Sequence, residues 1–487
     1  MMLMENYFLA IDQGTTSTRT VLYDSNFTVL DQNQIEITQH YPKPGYVEHD
    51  AQEIWDKTFL TISSLLEKNG LEASQVISIG ITNQRETIVG WDQKMGKPIG
   101  RAIVWQDKRT TNYCKTLQNQ GVEKEVIEKT GLLLDPYFSA SKLRWINNHF
   151  KEEIANKNIL FGTIDTFLLW KLTEGAVYAT DVSNAARTSL LNISTLDWDQ
   201  DLIKLFELEK INLPEIKKNA DDFGSTTLFG GKIKISGMAG DQQAALFGQT
   251  CFEAGDIKST YGTGCFLILN TGNQILRSQN KLLTTIGYKI DQEVVYALEG
   301  SIFIAGALIQ WLRDKMNFFT SAPESEALAK TANENSELII VPSFTGLGAP
   351  FWNPDIKGSI HGISLDTTQQ DIILASLEAI AFQSKDLIEA IKQDGAEINS
   401  IKIDGGMANN DFFVQILSDV LDVSVQRPKN IESTALGAAF FAGIGSGHVK
   451  FDELPDIWKR DKIFNSEKSY DAKYSSYLEA LNASINK

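Results

Sequence analysis

The sequence is poor in cysteine, and its three cysteines form no recognisable pattern. Cys114, Cys251 and Cys265 lie far apart, with no CxxC pair and no even set. Disulfide scaffolds and zinc sites both depend on closely spaced or paired cysteines, so the sequence argues against both kinds of protein.

Long apolar runs and a leader are missing as well. The longest apolar stretch, around 302–309, is far too short to span a bilayer. Residues 1–6 carry no cationic segment, and the short apolar run 7–11 ends at Asp12, which is unlike a signal peptide. We therefore expect a cytoplasmic protein with no membrane insertion.

Basic residues are the minority among the charges. The chain has 45 Lys and Arg against 62 Asp and Glu, which gives a formal charge of −17. Such a surface repels nucleic acid and anionic lipid, so we expect no nucleic-acid partner. A small anionic ligand stays possible, because a few N–H groups and one arginine can reverse the field inside a cleft.

What the 487 residues do contain is an unusual strand–turn–strand unit near the start. A short apolar strand ends at Asp12, and a Gly/Thr/Ser turn then leads through Arg19 into the next strand. Gly14 lets backbone approach a ligand, and Arg19 can pair with an anion. Asp12 would suit Mg²⁺. The alternative is an ordinary polar hairpin loop.

A second unit of the same kind follows past the middle of the chain. The apolar segments 257–261 and 265–270 flank Gly262-Thr263-Gly264. Two such units predict two similar lobes with a phosphate chain held between them.

The segment Gly240-Asp241-Gln242-Gln243 lies between the two units and is polar where its surroundings are apolar. The alternating residues 232–235 before it indicate a strand, and the small residues after it indicate a buried helix. Asp241 either caps this helix or acts as a general base at a domain junction.

Other polar residues stand at the ends of predicted strands. Arg85 and Glu86 follow a strand over 76–81, and both can reach one ligand only if the backbone turns there. The alternative is a surface ion pair. Trp105 and Tyr137 fit either a site or the core. Asp165 is expected to cap a helix, and the polar run 181–187 is expected to be structural or at the rim of the site.

In the second half, a strand over 401–404 leads through Gly405-Gly406 to a helix, a pattern that suits a nucleotide phosphate or ribose.

Together these segments resemble the sugar- and polyol-kinase family, which shares the actin and hexokinase-like ATPase fold, and within it the glycerol kinases. The resemblance covers about residues 7–445. Sugar kinases of this fold share the DxGTTS and DGG motifs but lack NQRET and LDPYFSA, so the substrate implied is glycerol. The motifs are DQGTTSTR at Asp12, GITNQRET at Gly80, AIVWQDKRT at Ala102, TGLLLDPYFSASKLRWI at Thr130, GTIDTFLLWKL at Gly162, GDQQAALFGQ at Gly240, YGTGCF at Tyr261, FTGLGAPFW at Phe344, DGGMANND at Asp404 and STALGAA at Ser433.

The resemblance implies ATP-dependent phosphorylation of glycerol to sn-glycerol 3-phosphate, with Asp241 as general base, closure of two lobes, and Mg²⁺ beside Asp12 and Asp241. It assigns the remaining residues to two ligands. Those implied for glycerol are Arg85, Glu86, Trp105, Tyr137, Asp241, Gln242 and Phe266. Those implied for ATP are Thr15, Thr16, Ser17, Arg19, Thr263, Gly306, Gln310, Gly406 and Asn410.

The resemblance also implies an α/β fold of two ribonuclease H-like lobes around a central active-site cleft. We expect a first lobe over 5–248, a second over 249–446, a C-terminal tail over 447–487 packed on the second lobe, and a homodimer or homotetramer. Two rival functions are a kinase of a pentulose or aldonic sugar and a member that is either non-enzymatic or a pure ATPase.

Some relatives in this family are inhibited by fructose 1,6-bisphosphate or activated by phosphorylation of a histidine near the GDQQ segment. No arginine lies between Asp222 and Gly240, and no histidine between His149 and His361. We therefore expect neither control in its usual form.

Overall fold

The structure, a computed structural model, describes residues 6–156, 158–353 and 355–485. Residues 1–5 lie outside these ranges, and with them the predicted start of the first lobe and most of the segment judged unlike a signal peptide.

Helices and strands are intermixed along the described part of the chain, with several runs of consecutive strands or helices. In the first half they are β1 (Tyr7–Gln13), β2 (Ser17–Asp24), β3 (Val29–Glu36), β4 (Glu48–His49), α1 (Ala51–Lys68), β5 (Val76–Asn83), β6 (Ile88–Asp92), β7 (Ala102–Ile103), α2 (Thr111–Asn119), α3 (Glu123–Thr130), α4 (Ser139–His149), α5 (Lys151–Asn156), β8 (Ile159–Thr163), α6 (Ile164–Leu172), β9 (Ala179–Asp181), α7 (Val182–Ala185), β10 (Leu191–Asn192), β11 (Asp197–Trp198), α8 (Gln200–Leu205), β12 (Glu215–Lys217), β13 (Ser225–Thr226), β14 (Ile233–Gly240) and α9 (Asp241–Gly248).

The second half continues with β15 (Asp256–Tyr261), β16 (Cys265–Gly272), β17 (Leu283–Ile290), β18 (Glu293–Ile302), α10 (Gly306–Asp314), α11 (Glu324–Ala329), β19 (Ile339–Val341), β20 (Ser359–His361), α12 (Gln369–Gln393), β21 (Ser400–Asp404), α13 (Asp411–Leu421), β22 (Val425–Pro428), α14 (Ser433–Ser446), α15 (Leu454–Ile457), β23 (Arg460–Phe464) and α16 (Asp471–Ile485). Short 3₁₀ turns lie at Ala73–Gln75, Gly406–Asn409 and Phe451–Glu453.

Two large sheets share one topology. The first has the order β13-β14-β5-β1-β2-β3 and the second β17-β18-β16-β15-β21-β22-β23. The run β3-β2-β1-β5-β14 matches β18-β16-β15-β21-β22, with two antiparallel pairs followed by two parallel pairs in each. The predicted α/β fold of two similar lobes is therefore confirmed, and the two Gly/Thr turns occupy equivalent hairpins.

The central strands read as continuous apolar runs because both faces of each sheet are covered. Along β1, Leu9 and Ile11 belong to the core beneath α1, whereas Phe8 and Ala10 belong to the core beneath α14. This two-sided burial holds the carboxyl ends of β1, β5 and β14 in fixed register at one edge of the first sheet.

Two helices cross between the lobes. α9 follows the edge-side strand β14 of the first sheet and contacts β15, β16 and β17 of the second, whereas α14 follows β22 and packs on β1, β5 and β14. The helices touch with no room for a side chain, since a Cβ at Gly437 would lie 1.8 Å from the Ala244 carbonyl oxygen. A Cβ at Gly80 would lie 2.0 Å from the Ala438 oxygen, so α14 is equally close to β5.

The second lobe is organised around α12, a 25-residue helix whose start is held by a capping box of Thr368 and Asp371. After α14, the chain adds β23 to the second sheet and places α16 against α12. Within the described ranges, no helix combines the length and the apolar character needed to cross a membrane.

Candidate active site

The two Gly/Thr turns place hydroxyl groups and backbone N–H groups at equivalent points of the two sheets. The first turn is closed by Gly14 N donating to the Ser17 oxygen at 2.9 Å, and the second by Gly262 N donating to the Gly264 oxygen at 2.9 Å. Thr16 in the first turn and Thr263 in the second are exposed. Both turns can therefore offer donors to phosphate oxygens.

Arg19 extends from β2 beside the first turn and is held by two carboxylates. Its guanidinium lies 2.6 Å from Asp12 Oδ2 and 2.5 Å from Glu432 Oε2. Burial works to lower the pKa of Arg19, but attraction to Asp12 and Glu432 outweighs it and raises the pKa. The side chain is thus fixed in place as a permanent cation beside the turn.

Arg85 and Glu86 follow β5 directly and are both buried. The backbone does turn here, because Glu86 adopts a left-handed φ of 60°. Arg85 Nη1 and Nη2 donate to the two oxygens of Glu299 at 2.6 and 2.9 Å, which excludes the simple surface ion pair. Glu86 Oε1 accepts a bond from Arg187 Nε at 2.7 Å.

Asp241 is the first residue of α9, and the N-cap position belongs to Gly240. Its Oδ1 accepts the Gln242 N–H at 2.7 Å and lies 3.2 Å from Arg85 Nε, while 31% of the side chain is exposed to the cleft. Enclosure by protein raises the pKa of Asp241, against the opposing charges of Arg85 and Lys258. A carboxylate with a raised pKa and an open face can accept a proton.

Gln242 is oriented by a residue of the second sheet. Lys258 Nζ, fully buried on β15, donates to Gln242 Oε1 at 2.5 Å. Because the amide oxygen is occupied by an ammonium, the Gln242 NH₂ group is the part available to a ligand. Burial lowers the pKa of Lys258, although Asp404 and Asp241 act in the other direction.

Three aromatic rings form one wall beside these polar groups. Trp105 meets Tyr137 edge-on at 5.5 Å between ring centroids and Phe266 at 6.3 Å. Trp105 and Tyr137 are only partly buried, so neither is an ordinary core residue. The Trp105 indole N–H donates to Thr15 Oγ1 at 3.0 Å, which joins the aromatic wall to the first Gly/Thr turn.

The residues predicted for the nucleotide cluster around the second turn. Gly306 starts α10 and its N–H donates to the Gly262 oxygen at 2.9 Å, with Gln310 exposed one helical turn later. Gly406 is exposed in a 3₁₀ turn after β21. Asn410 caps α13, since its Oδ1 accepts the Phe413 N–H at 2.9 Å, which leaves its NH₂ group for a ligand.

The donors fit the implied metal. Asp12 and Asp241 stand at the carboxyl ends of β1 and β14, on either side of β5. Each uses one carboxylate oxygen in the contacts above. Two carboxylates suit Mg²⁺, which keeps several waters and takes its remaining ligands from substrate phosphates. Among the described residues no cluster of three or more His, Cys, Asp or Glu could hold a metal.

Two site residues were missed by the sequence reasoning, namely Arg187 and Glu299. Arg187 ends the polar run 181–187 but is completely buried, and Glu299 lies within β18 and is buried as well. A lone glutamate inside an apolar strand was the available signal, since buried charges require partners.

The prediction for Asp165 was wrong. Thr163 is the N-cap of α6, and Asp165 is buried in the first turn, where it accepts a 2.6 Å bond from Thr180. The residue was read as a cap because Asp commonly fills that position, whereas here it belongs to an internal polar network with Asn83 and Asn184.

The duplicated sheets, the paired turns and the carboxylate at the start of α9 define a two-lobed kinase of the actin and hexokinase-like ATPase class. Residues 7–248 match the N-terminal domain and residues 257–446 the C-terminal domain of the FGGY family of carbohydrate kinases. The chain belongs to that family.

Among individual relatives, the chain is similar to glycerol kinases over nearly its full length. A glycerol kinase of Marinomonas sp. is 50% identical over 95% of this chain and 94% of its own length. A glycerol kinase of Rhizobium rhizogenes is 49% identical over 99% of this chain and 100% of its own length. The crystal structure of Plasmodium falciparum glycerol kinase with ADP superposes with a TM-score of 0.92, at 35% identity, over 99% of this chain and 98% of that one.

Proposed function

We propose that this chain transfers the γ-phosphoryl group of ATP to a terminal hydroxyl of glycerol, forming sn-glycerol 3-phosphate and ADP. The observation that carries the proposal is the juxtaposition of Arg85, Glu86 and Asp241, with Arg85 Nε 3.2 Å from Asp241 Oδ1, in a chain whose full-length relatives are glycerol kinases.

The polar groups match the substrate. Arg85 and the Gln242 NH₂ group donate, Glu86 accepts, and Tyr137 can do either, so each glycerol hydroxyl finds a partner. Trp105 and Phe266 pack against the carbon chain. A site of this kind rejects analogues that lack a hydroxyl, because its own buried polar groups would then stay unpaired.

In the reaction, Asp241 accepts the proton of the attacking hydroxyl. The hydroxyl oxygen forms a bond to the γ-phosphorus, and the bond from that phosphorus to the β,γ-bridging oxygen breaks to release ADP. A positioned base contributes about 10²–10⁴-fold to such a step. Alignment and charge neutralisation supply most of the remainder.

The phosphate chain lies between the two turns in this proposal. Thr15, Thr16, Ser17 and Arg19 bind it from the first lobe. Thr263, Gly306, Gln310, Gly406 and Asn410 bind ATP from the second. Asp12 and Asp241 would hold Mg²⁺, which would neutralise phosphate charge.

Closure of the lobes brings these groups together and excludes water.

We propose the two lobes and tail as stated from the sequence, a cytoplasmic location where ATP is available, and a homodimer or homotetramer. Light scattering after gel filtration measures the last of these. The three free, buried cysteines are consistent with a reducing compartment.

The test is ADP release in a coupled assay with and without glycerol. Glycerol-dependent release with stoichiometric glycerol 3-phosphate supports the proposal. Equal release without glycerol identifies an ATPase, and release with a pentulose or an aldonic sugar but not glycerol identifies a sugar kinase of the same family.

A further inference from the structure

Four buried charges form a closed ring behind the glycerol site. Arg85 pairs with Glu299 at 2.6 Å, Glu299 with Arg187 at 3.0 Å, Arg187 with Glu86 at 2.7 Å, and Glu86 lies 3.8 Å from Arg85. Each side chain is at most 2% exposed. The ring alternates in sign and is neutral overall, as buried charges require.

The ring joins the two lobes. Arg85, Glu86 and Arg187 come from the first half of the chain, whereas Glu299 lies on β18 of the second sheet. Glu299 Oε1 is shared, because it accepts from Arg85 Nη2 at 2.9 Å and from Arg187 Nη2 at 3.0 Å. One carboxylate of the second lobe therefore fixes the positions of two guanidinium groups of the first lobe.

This pairing decides which atoms remain for a polyol. Glu299 and Gln243 take both Nη1 hydrogens and one Nη2 hydrogen of Arg85, and Asp241 faces its Nε. One Nη2 hydrogen is left. Arg187 occupies Oε1 of Glu86, which leaves Oε2. The ring thus leaves one donor hydrogen on Arg85 and one acceptor oxygen on Glu86 without a protein partner, and a hydroxyl group can bond to either kind of atom.

We propose that Glu299 and Arg187 are positioning residues that fix the donor and acceptor atoms shown to the polyol by Arg85 and Glu86, so that hydroxyl recognition depends on a carboxylate of the second lobe. This inference rests on the proposed function. Glu299 stays ionised for the purpose: burial acts to raise its pKa, but Arg187 and Arg85 lower the pKa to about 2.

The test is Glu299→Gln in the full-length enzyme, which keeps the shape but removes the charge and turns one acceptor into a donor facing a guanidinium. We expect the KM for glycerol to rise by about tenfold or more, with the KM for ATP within about twofold. The preference for glycerol over propane-1,2-diol, which lacks one hydroxyl, should fall.

Glu378→Gln is the matched control, since Glu378 is a buried carboxylate of the same lobe that pairs with Lys473 at 2.6 Å. Loss of its charge should lower thermal stability without changing the KM for glycerol or the preference between the two alcohols. If Glu299→Gln does not fold, Glu299→Asp keeps the charge but shortens its reach, and should show the same selective change to a smaller degree.

Glycerol KM and preference equal to wild type in these Glu299 variants, or a rise in both KM values like that of a general loss of fold, would overturn the inference alone. A wild-type enzyme with no glycerol-dependent ADP release would overturn the proposed function, and this inference with it.

Discussion

The side of the cleft proposed for glycerol is closed and charged, whereas the surface of the second lobe proposed for the nucleotide is open and uncharged. Arg85, Glu86 and Gln242 are buried and already bonded to protein partners. Thr263, Gln310 and Gly406 are exposed. A small neutral substrate needs preset hydrogen bonds for its selection, while a large anion can order an open surface as it binds. The predictions below test this contrast, beginning with the largest effect.

Asp241→Asn should lower kcat by about 10²–10⁴-fold, because it preserves shape and removes the base. ATP binding, measured by calorimetry, and the circular dichroism spectrum should change little. Turnover close to wild type would show that Asp241 is not the base.

Arg85→Ala should raise the KM for glycerol by about tenfold or more, since it removes a donor and leaves Arg187 as the remaining partner of the buried Glu299 carboxylate. The KM for ATP should stay within about twofold, because the proposal assigns Arg85 to glycerol and not to the phosphates. Steady-state kinetics with each substrate varied in turn decides this, and an equal rise in both would assign Arg85 to the phosphates or to the fold.

Lys258→Met should move the acidic limb of the kcat–pH profile to higher pH. The base works deprotonated, burial raises the pKa of Asp241, and Lys258 is one of the charges that oppose that rise. Without Lys258 the pKa of Asp241 rises further, so activity is lost earlier as pH falls. Lys402→Met is the control, because Lys402 is a buried lysine bonded to the Gln249 and Thr250 carbonyl groups, and it should leave the limb in place.

Gly406→Ala tests the open side. An added Cβ would meet no protein atom within 4 Å, so stability and the KM for glycerol should be unchanged. If the nucleotide lies against this turn, the KM for ATP should rise by roughly three- to tenfold, because the added methyl group would keep the ligand from the backbone. An unchanged KM for ATP would remove Gly406 from the nucleotide site.

The smallest effect is expected from fructose 1,6-bisphosphate, whose candidate site lies outside both the glycerol and the nucleotide regions. Lys232 and Lys234 are exposed before and within β14, and no arginine accompanies them to form a bidentate clamp. Turnover at low protein concentration should stay within about twofold across a titration. Saturable inhibition, lost in the double variant Lys232→Ala and Lys234→Ala, would assign those lysines to an inhibitor site.

The sequence was sufficient wherever function lies in contiguous residues. The two Gly/Thr turns predicted the duplicated lobes, and the small residues after Asp241 predicted the helix that starts there. It was insufficient for partners brought together by topology. Glu299 is 214 residues from Arg85, and Arg187 is 101 residues from Glu86. No local pattern reports such pairs, because Glu299 of the second sheet meets Arg85 only where the two lobes pack against each other.

The sequence also did not predict that α9 contacts the second sheet and α14 the first. Small residues indicate that a helix packs closely, but they do not indicate which backbone it packs against. Gly80 and Gly437 are required because the carbonyl oxygens of Ala438 and Ala244 leave no space for a Cβ atom. Only the structure shows these contacts.

The position of α14 has a consequence for how the protein is made. The helix lies near the end of the chain, at 433–446, yet it covers strands β1, β5 and β14 that leave the ribosome long before it. Until translation passes that helix, Phe8, Ala10 and Ala239 lack the cover that α14 gives to one face of the first sheet. The growing chain therefore carries this sheet face without its helix through most of its synthesis, and transiently exposed apolar surface of this kind favours aggregation.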